Sequence, residues 1–178
     1  MPQKRQNRIY LKACTGKGKC RMLKPAVMYK DTLTTLFAQE LYSERYFYYI
    51  GYVHENLLPN LEPEQNQYRW VSVDGYHKVV GYFAYSIDPL TNNAMNFGLY
   101  SFDEGNLILI KDIYAKLEEL IRSCHRVEWR VIDGNHARKG YEWFCKKHNG
   151  SFVCLHDVTK DAQGNYRNEY IYEVPGLK

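Results

Sequence analysis

Apolar residues recur at helical spacing after Asn106. Seven of them fall on one face of a helix with a period of 3.6 residues and predict one amphipathic helix: Ile110, Ile113, Tyr114, Leu117, Leu120, Ile121 and Cys124. Oppositely charged residues four apart would support this helix, namely Asp112 with Lys116 and Glu118 with Arg122. It is the best-defined helix in the sequence.

Two further helices are predicted on either side of it. The first begins with Asp31 as its N-cap and carries apolar residues at helical spacing. It continues, alone or with another helix, through residues 42–52 until the prolines at 59 and 63 end it. The last covers residues 137–145 and is closed by Asn149 and Gly150, which suit a left-handed cap.

Strand patterns fill the remaining chain. They predict strands over residues 9–14, 19–23, 68–74, 79–87, 94–102, 126–132, 152–156 and 166–174. Asp74 and Gly75 are expected to form the turn of one hairpin. The strand–helix–strand link from 94 to 132 requires a parallel pair in a mostly antiparallel sheet. We therefore predict one α+β layered domain over residues 1–178, with helices flanking a mixed sheet that has one parallel central strand pair.

Composition narrows the class of protein. The 178 residues are 45% hydrophobic and include 17 tyrosines, and the formal net charge is only +4, so a disordered chain is excluded. No stretch of about 20 apolar residues predicts a membrane span, and no apolar run of a secretory signal follows the basic N-terminus. Five cysteines in a chain of this length favour free thiols. We expect a cytoplasmic protein with no membrane partner.

The positive charge is concentrated in the first thirty residues. They hold nine Lys and Arg and no acid, which leaves 15 basic against 20 acidic residues, or −5, for the remainder. A basic arm over residues 4–30, with residues 1–20 as an extension or hairpin, could contact nucleic acid weakly. The alternative is an ordinary solvated edge.

The order of elements and three sequence segments resemble the GNAT acyltransferase superfamily. Arg126 to Asn135, followed by Tyr141 to Gly150, resembles its strand–Asn–helix–Tyr–Gly segment, and Asn96 to Asp103 and Tyr166 to Val174 look like the phage and Firmicutes branch. The resemblance covers roughly residues 22–174. It implies a GNAT-like fold and an N-acetyltransferase that takes acetyl-CoA and an unidentified amine acceptor, as a monomer or homodimer.

An acyl-CoA donor presents a pyrophosphate, a thioester carbonyl and a thiolate leaving group. The pyrophosphate suits the N-terminus of the helix that opens at Gly105, Asn106, Leu107 and Ile108. The resemblance implies that backbone N–H groups near Leu99, Tyr100 and Ser101 bind the oxyanion. It also implies that Asn135 contacts the pantetheine arm, although Asn135 could simply be a turn residue.

Tyr141 matches the general acid of the family. A phenol with a pKa near about 10 can protonate a thiolate whose thiol has a pKa near about 8.5. The alternative is a tyrosine of the core, because Tyr141 shares an apolar stripe with Ala137 and Phe144.

The amine acceptor needs a base and a pocket. The candidate bases are Asp103, Glu104 and Glu128, although Asp103 and Glu104 could instead cap the helix. Five tyrosines lie within residues 42–52, and such phenols suit a pocket as well as core packing. We expect Tyr46, Tyr49 and Tyr52 to contact the acceptor.

Two alternatives stay open. The chain lacks the glycine pair of the usual family loop and keeps only Gly105, so a catalytically silent GNAT-like module that binds nucleic acid or protein through the basic N-terminus is the second hypothesis. Four potential zinc ligands also lie within twelve residues: Cys145, His148, Cys154 and His156. Their spacing is unusual for a zinc finger and favours core cysteines, so no metal is expected.

Overall fold

The fold is described by a computed structural model over residues 23–40, 61–62, 64–103, 106–135, 137–161 and 163–177. Predictions on residues 1–22 and on residues 42–52 lie outside these ranges. The helices are α1 (Lys30–Glu40), preceded by a 3-10 helix (Ala26–Tyr29), α2 (Leu107–Ser123) and α3 (Arg138–Lys147). The strands are β1 (Leu23–Pro25), β2 (Gln67–Val73), β3 (Val79–Ile87), β4 (Asn93–Ser101), β5 (Arg126–Ile132), β6 (Ser151–Lys160) and β7 (Tyr166–Pro175).

These seven strands form one mixed sheet in the order β1-β2-β3-β4-β5-β7-β6. All neighbours are antiparallel except β4 and β5, which run parallel because α2 crosses over between them. The predicted α+β class and its single parallel pair are confirmed.

Helices cover both faces of the sheet. On one face, Leu33 and Phe37 of α1 pack against the β2 and β3 residues Val71, Val73 and Tyr82. On the other face, α2 and α3 share a core with β3, β5 and β7 that includes Leu117, Phe83, Trp129, Phe144 and Tyr172. Apolar burial on two faces is the main stabilising term for such a layered domain.

Of three local predictions, two were wrong, and the turn at Asp74 and Gly75 was confirmed. Asp31 is the second residue of α1 and not its N-cap, because the 3-10 helix already brings the chain into helical conformation. The turn at Asp74 and Gly75 joins β2 to β3, its left-handed residue is His77, and the Asp74 carboxylate accepts from the N–H groups of Tyr76 and Lys78. Ile110 is exposed, and Leu109 takes its place in the core.

Within the described residues, no helix is long and apolar enough to span a bilayer.

Candidate functional site

The parallel strands β4 and β5 at the centre of the sheet are paired at one end and separate toward the other. β4 and β5 are paired only at Asn93 with Arg126 and at Ala94 with Val127, although the strands have nine and seven residues. Immediately beyond this pairing, β4 carries a bulge: the β3–β4 register slips by one residue, and Asn96 has a φ of 56°. A bulge bends its strand. The carboxyl-terminal part of β4 therefore separates from β5, and an opening forms in the sheet.

Backbone donors alternate along the open edge of β4. The N–H of Phe102 donates to the Val80 carbonyl at 3.0 Å, so in the antiparallel ladder the N–H of Tyr100 also points to β3. By the same alternation, the N–H groups of Leu99 and Ser101 point away from β3, toward the opening. Of the three residues predicted to bind an oxyanion, two present a backbone donor to the opening.

Tyr141 is the fourth residue of α3, and its side chain packs against β5. Its half-buried ring is 5.9 Å from the Trp129 ring, and Trp129 in turn stacks on Tyr172 at 5.8 Å. Trp129 and Tyr172 are both buried in the shared core. The Tyr141 ring therefore packs on a Trp129 ring that is itself held by Tyr172. The general-acid role of Tyr141 stays a prediction.

Asn135 shapes the turn between β5 and α3. Its Oδ1 accepts from the N–H of Ala137 at 2.9 Å, and its own N–H donates to the Ile132 carbonyl at 3.2 Å. The side-chain amide nitrogen is then the group that a ligand could use. A depression of about 380 Å³ adjoins this turn, lined by Asp133, Gly134, Asn135, Arg138, Lys139 and Glu142.

Arg138 lines the same depression as Asn135 and was not predicted from the sequence. It pairs with Asp133 at the end of β5, and its guanidinium lies 3.8 Å from the centre of the Tyr170 ring. Burial works to lower the pKa of Arg138, but hydrogen bonds and the nearby phenols and carboxylate outweigh it and raise the pKa. A cation at the first position of a helix opposes the helix dipole, and this unusual placement was the available signal.

The N-terminus of α2 is capped by its own chain. The Oδ1 of Asn106 accepts from the N–H groups of Ile108 at 2.9 Å and Leu109 at 3.3 Å. The Nδ2 of Asn106 donates to the Asp103 carboxylate at 2.9 Å, and the Ser101 hydroxyl donates to the Asp103 carbonyl at 2.7 Å. Leu107, the first residue of the helix, is largely exposed. Asn106 and Ile108, two of the residues predicted to hold a pyrophosphate, thus belong to a hydrogen-bonded cap.

The candidate bases differ in their surroundings. Asp103 supports the Asn106 cap through its carboxylate. Glu128 pairs with Arg126 at 2.9 Å and lies 3.8 Å from Arg130, on the strand face opposite Trp129. Its carboxylate is therefore engaged in an ion-pair network that includes Glu173 of β7. Glu104 lies outside the described residues.

Of the three described cysteines, Cys124 and Cys145 are buried and Cys154 is partly buried. Cys124, Cys145 and Cys154 are free, and the Cys145 thiol donates to the Ser151 carbonyl at 3.3 Å. Burial raises the pKa of Cys145. Over the part of the chain that the structure describes, no three His, Cys, Asp or Glu side chains meet to hold a metal ion.

Several predicted site residues lie outside the part of the chain that the structure describes. The acceptor tyrosines Tyr46, Tyr49 and Tyr52, the loop residue Gly105 and most of the basic N-terminal arm lie outside the described residues. Residues 23–30 of that arm are described, and within them Lys30 pairs with Glu62.

Comparison with known proteins identifies the fold. No protein-family model matches the sequence, and no curated protein matches it in sequence. Solved structures match over most of both chains. A RimL ribosomal-protein acetyltransferase in complex with coenzyme A shares 14% identity, covering 86% of this chain and 93% of its own, at a TM-score of 0.64.

Two more matches agree with the first. The ribosomal-protein-alanine N-acetyltransferase from Brucella melitensis has 14% identity, coverages of 86% and 98%, and a TM-score of 0.60. A mutant of the spermidine/spermine N-acetyltransferase SpeG from Vibrio cholerae has 12% identity, coverages of 86% and 94%, and a TM-score of 0.61. At these identities the likeness establishes the fold alone. This chain has the fold of the GNAT acetyltransferases.

Proposed function

We propose that this chain is an N-acyltransferase of GNAT type, which transfers an acetyl group from acetyl-CoA directly to a primary amine. The observation that carries the proposal is the opening between β4 and β5 beyond Ala94 and Val127. Such an opening leaves strand-edge N–H groups free of sheet partners, and an extended thioester arm can pair with them.

The backbone supplies the proposed oxyanion site. As the amine attacks, negative charge develops on the carbonyl oxygen, and the N–H groups of Leu99 and Ser101 are the donors assigned to it. Tyr100, bonded to β3 between them, fixes the strand. Donors held by a sheet need no reorganisation when the charge appears.

Tyr141 is the proposed general acid. When the carbon–sulfur bond breaks, the electron pair goes to sulfur, and the phenol of Tyr141 donates the proton that converts the thiolate to a thiol. Packing on Trp129 limits the positions that the ring can take. Asn135 is assigned to the pantetheine arm through its Nδ2, since its Oδ1 is used in the turn.

The acceptor side is proposed from the sequence. Tyr46, Tyr49 and Tyr52 are assigned to the wall of the amine pocket. Asp103 or Glu104 is assigned to removal of the ammonium proton, directly or through water, because an amine must be neutral to attack.

The test compares Tyr141→Phe with Tyr76→Phe. Tyr76 is the matched control, because it is fully exposed at the tip of the β2–β3 hairpin. We expect Tyr141→Phe to lower kcat by about a hundredfold, in the range of general acid catalysis, with an unchanged dissociation constant for acetyl-CoA. Tyr76→Phe should behave like the parent protein in steady-state kinetics and calorimetry.

Three results would contradict the proposal at different levels. Full turnover by Tyr141→Phe removes this residue from the mechanism. Absence of acetyl transfer to a panel of polyamines and peptide amino termini removes the enzymatic function. Absence of any donor binding favours the silent GNAT-like module.

A further inference from the structure

Most backbone N–H groups at the start of α2 donate to acceptors within the chain itself. An α-helix leaves its first N–H groups without helical partners, which here are those of Asn106 to Leu109. Three of these four have partners in the chain: Asn106 donates to the Asp103 carbonyl, and Ile108 and Leu109 donate to the Asn106 side chain. A phosphate at a helix N-terminus depends on these same donors.

The charge around this helix end is also unfavourable for a diphosphate. The Asp103 carboxylate is bonded to the cap at 2.9 Å. The first turn, Leu107 to Ile110, contains no Lys or Arg, and the side chains of Leu107 and Ile110 are 67% and 40% exposed. A diphosphate placed there would meet a carboxylate and apolar side chains where it needs cations and N–H donors.

We infer that the acyl donor is recognised through its thioester and pantetheine arm and not through its diphosphate. The inference rests on the proposed function and deepens it. The groups assigned to the thioester are the backbone N–H groups of Leu99 and Ser101 and the Tyr141 phenol, and none of them is a donor at the capped end of α2. Among the described residues, the groups assigned to the donor all contact its thioester and pantetheine arm, which a pantetheine thioester without a nucleotide also carries.

The reaction balances for such a donor. The amine nitrogen forms a bond to the acetyl carbon, the carbon–sulfur bond breaks, and its electron pair stays on sulfur. One proton leaves the amine nitrogen for a base or water, and one proton reaches the thiolate. The products are an amide and free pantetheine, and no further reactant is needed.

The first experiment measures kcat/KM of the parent protein with acetyl-CoA and with S-acetyl-pantetheine, using one amine acceptor. We expect the two values to agree within about tenfold, which corresponds to less than about 1.4 kcal/mol of recognition of the nucleotide part. A larger preference for acetyl-CoA overturns the inference.

The second experiment frees the donors of α2. Asn106→Gly removes the side-chain acceptor, and glycine still serves as an N-cap, so the helix keeps its start. We expect this variant to raise the kcat/KM ratio of acetyl-CoA over S-acetyl-pantetheine by about tenfold, which is about the contribution of one hydrogen bond to a charged group. An unchanged ratio contradicts the inference.

Asn92→Gly is the matched control at the other end of the same helix. The Asn92 side chain donates to the Ser123 carbonyl at 3.1 Å, and its φ of 54° suits glycine. This variant should leave the ratio of the two donors unchanged.

Calorimetry separates the inference from the proposed function. Equal dissociation constants for coenzyme A and pantetheine support the inference without turnover. Transfer with strong preference for acetyl-CoA overturns the inference alone, and donor binding without transfer overturns the proposed function alone. Failure to bind either thiol overturns both.

Discussion

Asp161 is a carboxylate enclosed at the tip of the β6–β7 hairpin, where only 2% of the residue is exposed. Burial alone would raise its pKa, but hydrogen bonds from Arg167 and Asn165 together outweigh burial and lower the pKa below its ordinary value. Arg167 contacts the carboxylate through both Nε and Nη2 at 2.7 Å. The residue organises the turn by accepting from the N–H groups of Gln163 and Asn165.

Asp161→Asn tests this role through pH. Because the folded-state pKa is lowered, the ionised carboxylate stabilises the fold above the ordinary pKa of about 3.9, and the stabilisation is lost as pH falls through the folded-state pKa. We expect Asp161→Asn to unfold in less urea than the parent protein at neutral pH. The difference should shrink below about pH 4.

Asp157→Asn is the control on the same hairpin. Asp157 is exposed and has a φ of 53°, a conformation that asparagine also tolerates. Its effect on unfolding should be small at both pH values. A difference between Asp161→Asn and the parent protein that stays constant with pH would contradict the electrostatic explanation.

At the scale of elements, α3 is joined to β6 through a crowded glycine. A Cβ on Gly150 would lie 2.7 Å from the Cys145 Sγ and 2.8 Å from the Val174 Cγ2, and closer still to the Glu173 carbonyl. The left-handed Asn149 and the Gly150 N–H, which donates to the Cys145 carbonyl, turn the chain from helix to strand there. The packing of α3 on β7 therefore depends on the absence of a Cβ at Gly150.

Gly150→Ala is expected to lower the free energy of unfolding by about 1–3 kcal/mol, the usual cost of overpacking a core. Gly75→Ala is the control, because a Cβ at Gly75 meets no atom within 4 Å. Chemical denaturation at neutral pH measures both. Equal stability of the two variants would show that the junction relaxes without cost.

At the scale of the whole molecule, the sequence predicted the sheet better than the site. β3 and β5 have the predicted ends, since runs rich in β-branched and aromatic residues between turn residues are strong strand signals. The bulge at Asn96 was not predictable, because it depends on the register between β3 and β4. The left-handed conformation of His77 was not predictable either, because it accompanies hydrogen bonds from the N–H groups of Tyr76 and Lys78 to the Asp74 carboxylate.

In the candidate site too, some features could be predicted from the sequence and others depend on contacts in the folded chain. The parallel pair followed from the order of elements, but the opening of that pair depends on the bulge. An asparagine before an apolar run is a sequence signal for an N-cap, yet the engagement of the helix donors by Asn106 became clear only from its contacts.

Binding of the donor thioester in the opening between β4 and β5 is the proposal on which the others depend. The most direct test is amide NMR of the labelled protein during titration with S-acetonyl-CoA, in which a methylene between sulfur and carbonyl prevents transfer. We expect large shifts for the N–H resonances of Leu99 and Ser101 and small shifts for those of Tyr100 and Phe102, whose N–H groups donate to β3. Saturation of binding with no change at Leu99 and Ser101 would contradict it.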